Sequence, residues 1–147
     1  MPPSAAEQRA DIPLSSLAID SHARALIAAQ AALEKRGEEV VILDLRGLSM
    51  VADFFILCTA ESAPQIGALR DHIEETLARH GCPVWHVEIS MAAGRPSPRM
   101  LHDRPQWVLM DCGEIVVHIL DQRTRAFYRL EDLWADAPRL PLPEAQP

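Results

Sequence analysis

The chain has 147 residues, 48% of them apolar and 24% charged, with 6 Gly and 12 Pro, which describes one globular domain with irregular ends and excludes a disordered chain. Its 14 basic and 21 acidic side chains sum to −7, a balance that excludes a coat protein for a phosphate backbone. Three cysteines, Cys58, Cys82 and Cys112, do not make a disulfide framework, no apolar run approaches the ~20 residues of a membrane span, and no basic-then-apolar leader opens the chain, so a cytoplasmic protein without membrane contact is expected.

Residues 1–19, rich in Pro, Ala and Ser, read as a flexible N-terminal segment, residues 20–136 as the folded domain, and residues 137–147 as a Pro-rich C-terminal tail. Asp20 suits a helix N-cap, and Ala23, Leu26, Ile27, Gln30 and Leu33 recur at helical steps up to Gly37, which suits the left-handed residue after a helix. Residues 40–45 and 54–59 are short apolar, β-branched runs joined through Gly47, and predict two buried strands. Ser62 stands three residues before Gln65 with Pro64 between them, the pattern of a capping box, so a second helix begins there with Ile66, Leu69, Ile73 and Leu77 as its apolar stripe. Residues 84–90 alternate as a third strand. Residues 91–105, with Arg95, Arg99 and Arg104, read as a mobile or functional loop.

The stretch 107–120, WVLMDCGEIVVHIL, predicts a hairpin turning at Cys112-Gly113. In that register Asp111 faces Glu114, Leu109 faces Val116 and Trp107 faces His118, on the side opposite Val108, Met110, Ile115, Val117 and Ile119. A face combining an indole, aliphatics, a histidine and acids suits recognition of another macromolecule. The segment TRAFYRLEDLW that follows predicts short helical turns.

Catalytic constellations are not visible in the sequence. Two-metal chemistry calls for converging carboxylates, and neither Asp44 nor Asp111 begins a D-x-D pair. His80, Cys82 and His86 have no second ligand pair at zinc spacing, so no metal is expected, and the three cysteines read as packing residues. His118, in the pattern VVHIL, reads as a sheet histidine, since no nucleophile pairs with it. Lys35 is the sole lysine and neither Gly-rich phosphate motif occurs, which disfavours triphosphate turnover.

Two segments, DLRGLSMVADFFILCTAES over 44–62 and WVLMDCGEIVVHILDQRTRAFYRLEDLW over 107–134, resemble the ribosomal silencing factor family, also called the Iojap family, and the likeness extends over about residues 20–136. It implies an α/β (α+β) fold with a mixed five-stranded sheet flanked by helices, nucleotidyltransferase-like without catalytic acids. It also implies a repressor with no enzymatic activity and no cofactor. Such a repressor docks on the L-fourteen family protein of the large ribosomal subunit, at the subunit interface, and blocks joining of the small subunit when nutrients are scarce. Two departures stand out: Thr59-Ala60-Glu61-Ser62 replaces the usual Thr-Gly-Thr-Ser, and Glu88 leads into a longer, arginine-bearing loop.

Residues and resemblance converge on the hairpin. Trp107, Leu109, Asp111, Glu114, Val116 and His118, with Tyr128 and Arg129 beside them, are the expected partner-binding set. The loop arginines read as solubilising, with an edge contact to ribosomal RNA as the alternative, and the apolar sheet face leaves a homodimer of the free protein open. The competing reading is a metal-dependent nucleotide-binding enzyme in which Asp44, Asp111 and Glu114 hold the metal.

Overall fold

The computed structural model describes residues 20–91 and 105–143. The segment expected over 1–19 and the three loop arginines lie outside the described residues.

Helix α1, Ser21–Glu34, begins where the Asp20 carboxylate accepts the Ala23 N–H at 2.8 Å, satisfying one of the unpaired donors of the first turn. Its fully buried residues are Ala25, Ala28, Ala29, Ala31 and Ala32, whereas Leu26, Ile27 and Leu33 pack only at the margin of the core. The expected stripe is therefore displaced: small side chains let α1 approach its neighbours closely, and alanine contributes little to a hydropathy pattern. The left-handed residue after α1 is Arg36, at φ 61°, rather than Gly37. Glycine at 37 serves a close approach instead, since a Cβ there would come within 2.9 Å of the Ala32 carbonyl oxygen.

Strands β1, Glu38–Asp44, and β2, Phe54–Ala60, pair antiparallel, with a bulge between Glu38 and Val41. Glu39, inside the bulge, sits at φ 49°. Helix α2, Ala63–Arg79, starts at Ser62, whose hydroxyl accepts the Gln65 N–H at 3.2 Å. The Gln65 amide accepts the Glu61 N–H at 2.6 Å and donates to the Arg36 carbonyl at 2.9 Å, so the cap also fastens α2 to the α1–β1 connection. Ile66, Leu69, Ile73 and Leu77 are buried, as the periodicity predicts.

β3, His86–Met91, β4, Pro105–Asp111, and β5, Ile115–Asp121, lead into the short helices α3, Gln122–Tyr128, and α4, Leu130–Leu133. The chain then returns to the sheet as β6, Arg139–Leu140. Among the described residues the sheet is mixed and six-stranded, in the order β3-β4-β5-β2-β1-β6, with β2 and β5 parallel and the other pairs antiparallel. Five of the strands are those expected; the sixth comes from the segment read as a tail. Leu140 stands opposite Ile42, and the Asp44 N–H donates to the Pro138 carbonyl at 2.8 Å. Flanking prolines suit a two-residue edge strand, because the outer side of an edge has no ladder to complete.

The two sheet faces carry different cores. α1 and α2 close over Ile42, Ile56, Met110, Val117 and Ile119. On the opposite face a smaller cluster of Leu43, Leu45, Leu57, Leu130 and Ala137 is edged by Phe55, Trp107 and Trp134. On that face α3 packs against β5 and β2, Leu130 of α4 joins Leu43 and Leu57, and β3 and β4 carry exposed or half-buried side chains.

Candidate protein-docking face

The β4–β5 hairpin closes with the Cys112 N–H donating to the Ile115 carbonyl at 3.0 Å, so the two turn residues are Gly113 and Glu114 rather than Cys112 and Gly113. Gly113, at φ 88°, supplies the positive φ that a primed turn needs at its first position. The register accordingly slides by two: Trp107 opposes Leu120, Leu109 opposes His118, and Asp111 opposes Val116. A slide of two residues returns every side chain to its original face, so Trp107, Leu109, Asp111, Val116 and His118 still share one side. The expected facing of Asp111 and Glu114 does not occur. Glu114 leaves the ladder and meets Arg24 of α1 at 3.4 Å, while the Asp111 carboxylate accepts the Gly113 N–H at 2.9 Å.

Strand β3 widens the face, since His86, Glu88 and Ser90 stand opposite Asp111, Leu109 and Trp107. Glu88, Ser90, Trp107 and Leu109 together line a shallow hollow of about 230 Å³. Trp107 is the fixed point of this surface. Its Nε1–H donates to His118 Nδ1 at 3.0 Å, and its ring lies 5.0 Å from that of Tyr128. His118 in turn meets Phe55 edge-on at 4.7 Å, and Phe55 meets Trp134 at 5.9 Å, so an aromatic column supports the indole from beneath.

Of the eight expected binding residues, Trp107, Leu109 and Asp111 are half-buried and Glu114, Tyr128 and Arg129 exposed, whereas Val116 and His118 retain only 6% and 4% of their surface. The buried pair would act through the residues above it. Arg129 sits at φ 49° between α3 and α4, with its guanidinium 2.7 Å from Asp132. Sequence reasoning missed Arg125, which is 5% exposed and donates to Glu131 at 2.9 Å, to Thr59 at 3.0 Å and to the Glu39 carbonyl at 2.8 Å. Through those three bonds it seats α3, and hence Tyr128, on the sheet.

An indole N–H can only donate, so His118 Nδ1 must be the acceptor and the neutral ring carries its proton on Nε2. That nitrogen is buried without a hydrogen-bond partner among the described residues. Burial, with a smaller contribution from the Arg125 charge, pushes the imidazole pKa down from 6.5 to about 4. The unfolded chain therefore binds this proton first. The resulting stability is complete above pH 6.5 and is lost as pH falls towards 4, by about 3 kcal/mol in all. Urea midpoints measured through this window should fall with pH, and His118→Gln should flatten most of the slope. Hydrogen bonds from His72 and Arg46 hold the Glu34 and Asp44 carboxyls below their usual values of 4.5 and 3.8, so those two groups act mainly at lower pH.

The three acids of the enzymatic reading are each engaged separately: Asp44 takes 2.8 and 3.0 Å bonds from Arg46, Asp111 binds its own turn, and Glu114 meets Arg24. Among the described residues no group of three or more His, Cys, Asp or Glu side chains is placed to hold a metal ion. No helix among them is long and apolar enough to cross a membrane.

Residues 18–147 match the family model described as "Ribosomal silencing factor during starvation". The chain belongs to the ribosomal silencing factor family. It is 36% identical over 112 residues to ribosomal silencing factor RsfS of Bacillus subtilis, covering 76% of this chain and 85% of that protein. To RsfS of Halalkalibacterium halodurans it is 34% identical over 116 residues, covering 79% and 89%. The chloroplastic Iojap protein of Zea mays is 32% identical over 115 residues, 78% of this chain and 45% of the maize protein. A crystal structure from Bacillus halodurans, 30% identical, superposes with a TM-score of 0.59 over 79% of this chain and 94% of that one. One from Chromobacterium violaceum, 22% identical, shares the fold at a TM-score of 0.67, covering 86% and 95%. Membership in the ribosomal silencing factor family makes this chain a ribosome-associated regulator of translation, and the family's names describe a regulatory factor rather than an enzyme.

Proposed function

We propose that this protein is a cytoplasmic translational repressor that docks on the L-fourteen family protein of the large ribosomal subunit and keeps the small subunit from joining. The observation that supports this reading best is the open β3–β4 face, where a braced, half-buried Trp107 stands with Leu109 and Tyr128 beside the carboxylates of Glu88 and Asp111. An aromatic anchor surrounded by acids matches a basic protein surface: the charges steer the encounter and the indole holds the complex. Repression is then steric and nothing is turned over. Arg129 stays at the rim, where charges are exposed to solvent and contribute mainly to the association rate, and Glu114, turned to Arg24 of α1, lies off this face.

The experiment is sedimentation of the full chain with separated ribosomal subunits, followed by capture of the isolated L-fourteen family protein. Binding to the large subunit alone, weakening as salt is raised, is expected. Sedimentation with the small subunit instead, or failure to capture the isolated protein, would overturn the reading.

A further inference from the structure

Strands β3 and β4 gather four side chains of unlike chemistry on a small area of the docking face. Glu88 stands opposite Leu109 and Ser90 opposite Trp107, and these four line the hollow of about 230 Å³. Its lining is divided: Leu109 and the indole are half-buried and apolar, whereas Glu88 and Ser90 are exposed on the edge strand and offer oxygens that accept hydrogen bonds. Diagonal neighbours on adjacent strands lie within reach of aromatic and long side chains, which brings the Glu88 carboxylate to the vicinity of the Trp107 ring. The indole is held in place, with its N–H bonded to His118 at 3.0 Å and the Tyr128 ring at 5.0 Å. We propose, resting on the docking reading above, that this hollow is a socket for a single arginine side chain of the basic partner.

An arginine side chain is divided in the same way as the hollow. Its methylene stem covers apolar surface while its head stays polar, so Leu109 takes the stem. The planar guanidinium stacks on the indole, the best of the aromatic rings for a cation, and its N–H groups donate to the Glu88 carboxylate and the Ser90 hydroxyl oxygen. Glu88 changes partners at little cost: in the free protein its Oε1 meets His86 Nε2 at 3.2 Å, with both side chains more than half exposed. Asp111, the other acid of this face, is engaged by the Gly113 N–H and adds background charge rather than a second fork. Lysine brings a point charge with no plane to stack, so it satisfies the carboxylate and leaves the indole face poorly covered. An apolar plug would strip water from Glu88 and give it no donor. The socket therefore selects arginine, a specificity beyond the general attraction of an acidic surface for a basic one.

The test titrates the full chain with acetyl-Gly-Arg-Gly-amide and follows the indole N–H signals of Trp85, Trp107 and Trp134 by NMR, with Trp107 assigned from Trp107→Phe. The expected result is a saturable shift of the Trp107 signal at millimolar peptide. Binding should be about three-fold weaker or more for the lysine peptide and for Glu88→Gln, whose exposed position leaves the fold intact, and should be lost with an uncharged citrulline peptide. Equal binding of the arginine and lysine peptides, indifference to Glu88→Gln, or a response confined to Trp85 or Trp134 would overturn the proposal. So would tighter binding by a chain combining Arg95→Gln, Arg99→Gln and Arg104→Gln, since its own loop would then be the occupant. On the partner, one arginine of the isolated L-fourteen family protein should lose about 10-fold in capture when changed to lysine, and much less when this chain carries Glu88→Gln. Capture that responds to Trp107→Ala and to no single arginine would reject the socket and leave the docking reading standing. No capture at all would reject the docking reading, and the peptide titration would still decide the socket.

Discussion

Trp107→Ala should weaken binding to the isolated L-fourteen family protein by about 30-fold or more, corresponding to at least about 2 kcal/mol for a buried aromatic anchor. The indole has three attachments that alanine loses: the hydrogen bond to His118 at 3.0 Å, the Tyr128 ring at 5.0 Å, and the hollow shared with Glu88, Ser90 and Leu109. Its removal also strips the donor from His118 Nδ1 and uncovers the aromatic column, so some stability is lost with the contact. Trp107→Phe helps separate the two effects, because it keeps an aromatic ring against Tyr128 while removing the N–H and the smaller part of the ring system. Titration calorimetry on folded variants should rank affinity as wild type, then Phe, then Ala. Equal affinity for all three would place the anchor elsewhere.

Arg125→Ala should cost about 3–5 kcal/mol of folding stability, the range for removing one partner of a buried charge pair. The guanidinium serves three acceptors at once: the Glu131 carboxylate, the Thr59 hydroxyl and the carbonyl of Glu39, whose left-handed backbone sits in the β1 bulge. All three lose a donor when it is removed, and burial leaves water little room to replace it. Lysine presents a point charge rather than a planar fork, so Arg125→Lys should recover only a minor part of the loss. Thermal melts at pH 7 read this directly, and for a chain of this length the expected fall in Tm is about 10–16 °C. A fall of only two or three degrees would mean that α3 is held by its apolar contacts instead.

The parts of the fold written in local chemistry were legible. Asp20 and Ser62 mark helix starts because a short polar side chain bonds its own turn, and the stripe of α2 shows because large residues repeat on one face. The core face of α1 was not legible, since it is made of alanine, and neither was β6, whose two residues lie among prolines and pair with β1 only after the chain has crossed the sheet. In the hairpin, Gly113 fits either turn placement; the competing registers differ by two residues, so the choice of face survived while the individual pairs did not. That distinction decides the carboxylates: Asp111 stays on the face and Glu114 turns to Arg24. Arg125 joins residues far apart in sequence, and no periodicity or motif announces such partners.

Subunit joining, followed by light scattering as purified small and large subunits are mixed, measures the central claim most directly. Large subunits preincubated with excess wild-type protein should fail to form whole ribosomes, while those preincubated with Trp107→Ala at the same concentration should join at close to the uninhibited rate. Joining that proceeds unimpeded with the wild-type protein bound to the large subunit would contradict the account.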